Sequence, residues 1–288
     1  MAIRIEPSGQ NIGAHVHGVD FSKPIDDATA AAVRAAWLEH QVLGFPDQRL
    51  ELDHLEAIPP RFGRFGDDPY IAPLPGRRHV IAVRREADEK SAIFAESWHS
   101  DWSFLPDPPS GTALYGVEIP PVGGDTLFAD QYGAYEALPE SMRARLDGLV
   151  AIHSARRGYS LKGRYGEGDA GDRSMTIRPS DDALATHRHP LVRAHPETGR
   201  KALFVSEAYT IGVDGMPEDE AEDLLAELFA HQVQDRFVYR HRWSAGLLTL
   251  WDNRCVLHRA TGGYEGHRRL LYRVTIAEPT TQPQAQPA

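Results

Sequence analysis

The sequence predicts a mainly β domain in which two sheets form a barrel, with a few flanking helices outside it. Many short apolar stretches are separated by turn residues, and the 288 residues include 25 glycines and 21 prolines. Few stretches show helical periodicity, so strands and helices do not alternate as they would around a parallel sheet. With 41% hydrophobic residues the chain can bury one core, and we expect a single domain over residues 1–279.

Strand and helix signals in the N-terminal half are separated by glycine or proline turns. One helix begins at Asp26 or Asp27, either of which can cap its first turn, and ends near His40. A second helix fills part of residues 51–62, where a proline pair interrupts its end. The predicted strands are Ile3–Ile5, Ala14–Val19, Val42–Phe45, His79–Val83 and Thr112–Ile119.

The rest of the chain adds more strands and three helices. The predicted helices are Tyr132–Ala137, Glu140–Leu146 and the acidic, amphipathic Pro217–Gln232. The predicted strands are Thr126–Ala129, Val150–His153, Leu191–Ala194 and Ala202–Ser206 as a hairpin, Phe237–Trp243, Leu247–Trp251 and Leu270–Ile276.

Two segments lack the periodicity of strands or helices. Residues 156–186 are rich in glycine, arginine and aspartate. Because they lie between two core strands, we expect an active-site lid rather than a disordered insert. Residues 280–288 are rich in proline and glutamine and predict a disordered tail.

A histidine and an aspartate near the middle of the chain predict half of a metal site. His99 and Asp101 lie two apart in the stretch Trp98–Phe104, and on an extended strand they would face the same spot. A His-x-Asp tripeptide is expected about once by chance, so alone it also fits a surface turn. His258, in the distant stretch Trp251–His258, would complete two nitrogens and one carboxylate. This set leaves positions open on a metal and suits non-haem Fe(II).

Two arginines near the C-terminus indicate anionic ligands for the same site. Arg269 and Arg273 are four positions apart, so they share one face of a strand. A guanidinium binds a carboxylate or a sulfonate through a planar pair of donors. The pattern also fits a solvated basic edge, but the apolar residues around it favour a buried strand: Leu270, Leu271, Tyr272, Val274 and Ile276.

Composition argues against several classes of function. A formal net charge of −10 and a pI near 5.8 argue against binding to nucleic acid. The one cysteine, Cys255, excludes an internal disulfide, fits a reducing compartment, and is interpreted as a small buried residue rather than a nucleophile. No apolar stretch is long enough to span a bilayer. We therefore expect a cytoplasmic enzyme without a membrane or nucleic-acid partner.

The chain resembles the Fe(II)/2-oxoglutarate-dependent dioxygenases of the taurine dioxygenase and 2,4-dichlorophenoxyacetate dioxygenase family. The likeness extends from about Ile3 to Ala277 and rests on the order and spacing of short motifs. It implies a double-stranded β-helix, or jelly roll, of the cupin type. The matching motifs are Gly13-Ala14, Gly18–Asp20, Trp98–Asp101, Gly123–Thr126, His189–Val192, His195-Pro196, Thr198–Arg200, Trp251–Arg254, His258 and Arg269–Arg273.

The resemblance implies roles for the residues of the metal site. His99, Asp101 and His258 would bind Fe(II), and 2-oxoglutarate and O2 would be co-substrates. Arg269 would pair with the C5 carboxylate of 2-oxoglutarate, and the hydroxyl of Thr126 would donate to the same carboxylate. The reaction would hydroxylate a C–H bond of the substrate and release succinate and CO2.

The resemblance also implies where the prime substrate binds. Arg273 matches the position that grips the anionic end of a small substrate, such as a sulfonate, a sulfate ester, or an aryloxy or other carboxylate. Trp102 would form a wall of the pocket or stack on the substrate. Family members are often dimers or tetramers, so we expect a homo-oligomer.

Four positions depart from the taurine dioxygenase pattern and concern the substrate. Ala95 stands where taurine dioxygenases have an asparagine, and Asp68 falls at their pocket histidine. Tyr159 and Tyr209 stand where those enzymes have phenylalanines. These departures argue against taurine itself, and local stretches such as Ala82–Ala87 look closer to the aryloxyalkanoate dioxygenases.

Other functions are compatible with the same residues. A related enzyme would hydroxylate or desaturate an amino-acid derivative or a natural-product intermediate. Halogenation is disfavoured because Asp101 fills the position that a halide would need. A cupin-like metal-binding protein without turnover is a further alternative, but such a protein would not need Thr126 and Arg269. A zinc hydrolase with the same three ligands is another, and it would be active without oxygen.

Overall fold

The structure, a computed structural model, is mainly β with flanking helices and describes residues 2–278. The predicted tail at 280–288 lies outside the described residues. The strands are β1 (Arg4–Pro7), β2 (Ala14–His17), β3 (Val42–Phe45), β4 (Arg64–Phe65), β5 (Ile81–Arg85), β6 (Gly111–Glu118), β7 (Thr126–Asp130), β8 (Val150–Ser154), β9 (Thr186–Pro190), β10 (Val192–Ala194), β11 (Lys201–Leu203), β12 (Thr210–Val213), β13 (Val238–His241), β14 (Leu248–Asp252), β15 (Val256–Ala260) and β16 (Arg269–Ala277). The α-helices are α1 (Asp27–His40), α2 (Leu52–Glu56), α3 (Pro59–Phe62), α4 (Gln131–Glu136), α5 (Glu140–Leu146), α6 (Arg156–Tyr159) and α7 (Glu218–His231). Within residues 2–278, every helix is too short or too polar to cross a membrane.

The largest sheet joins parts of the chain that are far apart in sequence. It has eight strands in the order β1-β2-β3-β14-β6-β16-β4, and β5 also pairs with β16. Its pairs are antiparallel except that of β2 with β3. The sheets β13-β7-β15 and β12-β8-β9 have three strands each, and β10 and β11 form the predicted hairpin.

One apolar cluster contains side chains from two sheets. Leu114, Trp251 and Leu271 come from the eight-stranded sheet, whereas Phe128 and Val256 come from the β13-β7-β15 sheet. All five are buried. Because apolar side chains on facing sheets exclude water from the space between them, the two sheets share one core.

Helix α1 packs on the eight-stranded sheet through a large tryptophan. The helix begins as predicted, with the side chain of Asp26 accepting the N–H of Thr29 at 2.7 Å. Trp37, near its end, is 1% exposed and contacts Phe62 edge to face with ring centroids 6.2 Å apart. Its ring also lies against Gly111 of β6. A residue without a side chain is therefore needed at that point of the sheet.

Two local predictions are wrong for identifiable reasons. His99 and Asp101 do not lie on a strand, because His99 makes an isolated bridge to His258 and a turn begins at Asp101. Trp102 has a φ of 49°, in the left-handed region that ends an extended chain. The proline pair at 59 and 60 begins α3 instead of ending a helix. The N–H groups in the first turn of a helix have no partner within the helix, so proline, which lacks an N–H, is tolerated there.

The segment 156–186 is built from hydrogen-bonded turns around the short helix α6. The N–H of Tyr165 donates to the carbonyl of Gly158 at 2.9 Å. A Cβ on Gly166 would lie 2.2 Å from the carbonyl oxygen of Leu161, so the chain folds back closely where glycine has no side chain. These close turns explain why the segment shows neither strand nor helix periodicity.

Gly111→Ala should destabilise the fold because β6 packs closely against α1. An added Cβ would lie 2.4 Å from the Trp37 ring, and overpacking of a core costs about 1–3 kcal/mol. Gly212→Ala, in β12 with its nearest neighbouring atom at 3.9 Å, is the matched control. Chemical denaturation measures the free energy of unfolding, and equal values for the two variants would contradict the described packing.

Candidate metal centre

Two histidines and one aspartate from distant parts of the chain meet in the interior. Ligand atoms of His99, Asp101 and His258 all lie within 4.8 Å of one another. The Nε2 atoms of the two histidines lie 3.6 and 3.7 Å from Asp101 Oδ1. All three residues are buried. The cluster can therefore hold one divalent cation, and it is the one His, Cys, Asp and Glu group of this kind within residues 2–278.

A pair of backbone hydrogen bonds holds the two histidines side by side. The N–H of His99 donates to the carbonyl of His258 at 3.0 Å, and the N–H of His258 donates back to His99 at 2.8 Å. His99 Nδ1 lies 2.8 Å from the carbonyl oxygen of Ser97. Because that oxygen can only accept, Nδ1 carries the proton and Nε2 keeps its lone pair for a metal. This bridge to β15, rather than the predicted strand, directs His99 to the centre.

A chain of three hydrogen bonds with fixed directions orients Asp101. The indole N–H of Trp251 donates to Asn253 Oδ1 at 2.9 Å, and the Asn253 amide donates to Thr112 Oγ1 at 3.0 Å. Because an indole can only donate, it fixes the amide orientation. The hydroxyl of Thr112 therefore donates its own proton to Asp101 Oδ2, 2.6 Å away. Oδ1 is left facing the histidines, and no sequence signal marks Thr112, a threonine inside β6.

The charges of the centre favour a metal ion. Burial alone would raise the pKa of Asp101, but His258, Arg273 and His99 hold it well below its usual range. Burial, together with the neighbouring His99, lowers the pKa of His258 to about 3. At neutral pH the centre therefore contains a carboxylate beside a neutral imidazole, and both are forms that bind metals.

Arg269 is a buried cation without a carboxylate partner among residues 2–278. It is 5% exposed, one terminal nitrogen donates to the carbonyl of Gly124 at 3.1 Å, and its Nε has no partner. The guanidinium lies 6.0 Å from the ring of Trp243 and 5.8 Å from that of Tyr264. Burial lowers the pKa of the guanidinium. A buried charge in such surroundings is stabilised by an anionic ligand.

Thr126 contacts one of the rings beside Arg269. The indole N–H of Trp243 donates to Thr126 Oγ1 at 3.0 Å. Since an indole cannot accept, the hydroxyl proton of Thr126 is available for a further acceptor. Trp243 thus connects the two residues for which the resemblance implies contacts with 2-oxoglutarate, and its role has no signal in the sequence.

Arg273 lies next to the centre and already has a counter-ion. Its Nη2 donates to Asp68 Oδ1, and its Nη1 lies 3.6 Å from Asp101 Oδ1. Asp68 Oδ1 also accepts the indole N–H of Trp102 at 2.9 Å, and the guanidinium lies 5.0 Å from the centre of the Trp102 ring. The arginines at 269 and 273, which the sequence presents as a similar pair, therefore differ in their charge environments.

A cavity of about 370 Å³ opens onto the metal centre. Three predicted substrate contacts, Trp102, Tyr159 and Tyr209, line it together with Arg273. Phe94 and Tyr165 add two further aromatic rings that the sequence does not single out. Asp68, by contrast, is not part of the lining and stands behind Arg273. The wall is therefore largely aromatic, with one guanidinium close to the candidate ligands.

Cys255 lies in the apolar core close to β15. It is 2% exposed, and burial raises the pKa of its thiol. A thiol in such surroundings is a poor nucleophile. This environment agrees with its interpretation as a small core residue.

Sequence comparison assigns the chain to a known family. The family model described as "Taurine catabolism dioxygenase TauD, TfdA family" matches residues 4–275, and the chain belongs to this family. It is 36% identical over 293 residues to the alpha-ketoglutarate-dependent 2,4-dichlorophenoxyacetate dioxygenase of Cupriavidus pinatubonensis, covering 96% of this chain and 99% of that one. It is 34% identical over 280 residues to the (S)-phenoxypropionate/alpha-ketoglutarate-dioxygenase of Sphingobium herbicidovorans, covering 96% and 95%.

A solved structure shows the same likeness in three dimensions. The crystal structure of AAD-2 in complex with Mn(II) and N-oxalylglycine superposes with a TM-score of 0.77 at 30% identity. The match covers 97% of this chain and all of that one. The resemblance that the motifs carry therefore extends over the whole architecture.

Thr112→Val should weaken metal binding and leave the fold intact. Valine fills the same space but cannot donate to Asp101, and loss of such a supporting hydrogen bond lowers metal affinity by roughly 10–100-fold. Thr249→Val is the matched control, because Thr249 is equally buried and its hydroxyl bonds to His241 instead. Titration of each apoprotein with Mn(II) gives the dissociation constants. Equal constants for the two variants would show that the hydrogen-bond chain does not support the site.

Proposed function

We propose that the protein is an Fe(II)- and 2-oxoglutarate-dependent dioxygenase that hydroxylates a C–H bond of a small anionic substrate. Succinate and CO2 are the co-products. The observation that carries the proposal is the buried guanidinium of Arg269, which has no carboxylate partner among the described residues. It lies on β16, the strand that also carries Arg273 to the edge of the metal centre.

The dicarboxylate 2-oxoglutarate supplies the anionic partner that the Arg269 guanidinium lacks among the described residues. Its keto and C1 carboxylate oxygens form a bidentate metal ligand, which leaves the C5 carboxylate for a cation at a distance from the metal. Arg269 offers the N–H groups for that carboxylate, and Thr126 offers a hydroxyl proton. The names of both relatives, which describe alpha-ketoglutarate dioxygenases, support this co-substrate.

The donor set fits Fe(II). Two imidazoles and one carboxylate, from His99, His258 and Asp101, form the ligand set that leaves positions for an oxoacid and O2. When bound, iron with these co-substrates supplies the oxidative decarboxylation and the oxidation of the substrate C–H bond. The chain holds the donors in place through the backbone bridge and the Thr112 hydroxyl, while its aromatic walls exclude water.

The cavity favours a small substrate with a flat apolar body and an anionic end. Its five aromatic rings offer stacking and edge contacts, and Arg273 keeps N–H groups for a carboxylate, sulfonate or sulfate. We favour an aryloxy carboxylate, because both relatives are named for aryloxy acids. A sulfonate or sulfate ester would use the same guanidinium, and a larger metabolite that is hydroxylated or desaturated fits the 370 Å³ cavity less well.

We also propose that the two facing sheets form the double-stranded β-helix of the cupin type, with residues 156–186 as a lid. The lid proposal is supported by Tyr159 and Tyr165, which lie in this segment and line the cavity. Arg164, which is in the same segment and also lines the cavity, pairs with Glu96. A homo-oligomeric state and a cytoplasmic location stay predictions from the sequence.

Anaerobic addition of Fe(II) and 2-oxoglutarate to the apoprotein should produce a visible charge-transfer band. Asp101→Ala removes a ligand and should abolish the band. Arg269→Gln should weaken the binding of 2-oxoglutarate by roughly 10–100-fold, because it removes a charge-assisted pair with a carboxylate. The dissociation constant is read from the band as 2-oxoglutarate is titrated.

Arg240→Gln is the matched control for the arginine substitution. Arg240 pairs with Asp125 at 2.9 Å, and its side chain is 51% exposed, so its loss should leave the band unchanged. A folded, iron-loaded wild-type protein without the band would reject the proposed function and favour a metal-binding protein without turnover. Wild-type affinity in Arg269→Gln would reject the role of Arg269 alone.

A further inference from the structure

Asp68 is a largely buried carboxylate that stands behind the candidate substrate arginine. Its Oδ1 accepts N–H groups from Arg273 and Trp102, and its Oδ2 lies 3.4 Å from Thr275 Oγ1. The side chains of Asp68 and Arg273 are 9% and 6% exposed. Arg273 lines the cavity and Asp68 does not. Asp68 therefore acts on the site through Arg273 instead of touching a substrate.

The guanidinium of Arg273 lies close to the carboxylate oxygen that faces the metal position. Its Nη1 is 3.6 Å from Asp101 Oδ1, the atom that also lies 3.6 and 3.7 Å from the Nε2 atoms of His99 and His258. A guanidinium and a divalent cation are both attracted to this oxygen, and they repel each other. Without a second carboxylate nearby, Arg273 would compete with the metal for Asp101.

Trp102 fixes the ion pair from a strained backbone position. Its φ of 49° is unfavourable for a bulky side chain, and such conformations persist where the surroundings enforce them. In this position its indole N–H donates to Asp68 at 2.9 Å, and its ring lies 5.0 Å from the guanidinium of Arg273. One aromatic residue thus contacts both members of the pair.

We propose that Asp68 is a positioning residue whose charge balances Arg273, so that a guanidinium can stand beside the metal without occupying the oxygen of Asp101. This inference rests on the metal-binding part of the proposed function. The Asp68–Arg273 pair is neutral as a whole, while Arg273 keeps N–H groups, including an Nε without a partner, for the anionic end of a substrate. The substrate is then held by directed hydrogen bonds with little net positive charge at the subsite.

Titration of apoprotein variants with Mn(II) tests the proposal without turnover. Asp68→Asn keeps the shape and an acceptor oxygen but removes the charge, so Arg273 is left to pair with Asp101. We expect the affinity for Mn(II) to fall about tenfold, as a nearby unbalanced positive charge requires. In the double variant Asp68→Asn/Arg273→Gln the competing cation is absent, and the affinity should return to within about threefold of wild type.

Two further variants serve as controls. Asp67→Asn removes a charge from the exposed neighbouring residue and should leave the affinity for Mn(II) unchanged. Asp68→Ser removes the same charge as Asp68→Asn with a smaller side chain, and it provides the comparison if Asp68→Asn does not fold. Thermal unfolding of each apoprotein measures the integrity of the fold separately.

Two results would overturn the inference. The first is an Asp68→Asn protein that binds Mn(II) as tightly as wild type or more tightly. The second is a double variant as weak as the single one, which would give Asp68 a structural role independent of Arg273. A wild-type protein that binds no Mn(II) would reject this inference and the proposed function together. If the variants bind Mn(II) as expected but the wild-type protein shows no charge-transfer band with 2-oxoglutarate, the proposed co-substrate is rejected and this inference stands.

Discussion

A single buried carboxylate oxygen, Oδ1 of Asp101, is the point on which the rest of the site depends. The two histidine Nε2 atoms and a guanidinium nitrogen of Arg273 all lie within 3.7 Å of it. The second oxygen is held by Thr112 of β6. Burying a charge is costly unless its partners are fixed in advance, and here each partner comes from a different part of the chain. The pairing of β6 with β16 brings Thr112 and Arg273 together, and the backbone bridge of His99 to His258 on β15 brings the two histidines together.

The two arginines of β16 show how a similar sequence signal leads to different chemistry. Arg269 is buried against aromatic rings and has no carboxylate beside it among residues 2–278, so it attracts an anion from outside. Arg273 is paired with Asp68 and keeps N–H groups while its charge is balanced. Under the proposed function, this difference separates a site for the dicarboxylate co-substrate at Arg269 from a subsite for the anionic end of the prime substrate at Arg273. Both arginines lie on the single strand β16, four positions apart.

The sequence singles out His99, His258 and Arg269 by the chemistry of their side chains, and the structure buries all three. It placed His99 and Asp101 together for the wrong reason, because a β-bridge and a turn replace the expected strand. Thr112 and Trp243 escaped prediction, since each acts through hydrogen bonds that no sequence pattern marks. Thr112 bonds to Asp101, 11 positions away, and to Asn253, 141 positions away, and Trp243 bonds to Thr126, 117 positions away. The glycine-rich turns of residues 156–186 also depend on close backbone contacts, and such contacts leave no periodic pattern in the sequence.

The most direct test of this account compares 2-oxoglutarate with 2-oxobutyrate, which has the same metal-binding end but no distal carboxylate. Calorimetric titration of the Mn(II)-loaded protein under anaerobic conditions gives both dissociation constants. Since a buried charge left unpaired is strongly unfavourable, we expect 2-oxoglutarate to bind about 100-fold more tightly. Equal affinities for the two oxoacids would contradict the account, because Arg269 would then not recognise the C5 carboxylate.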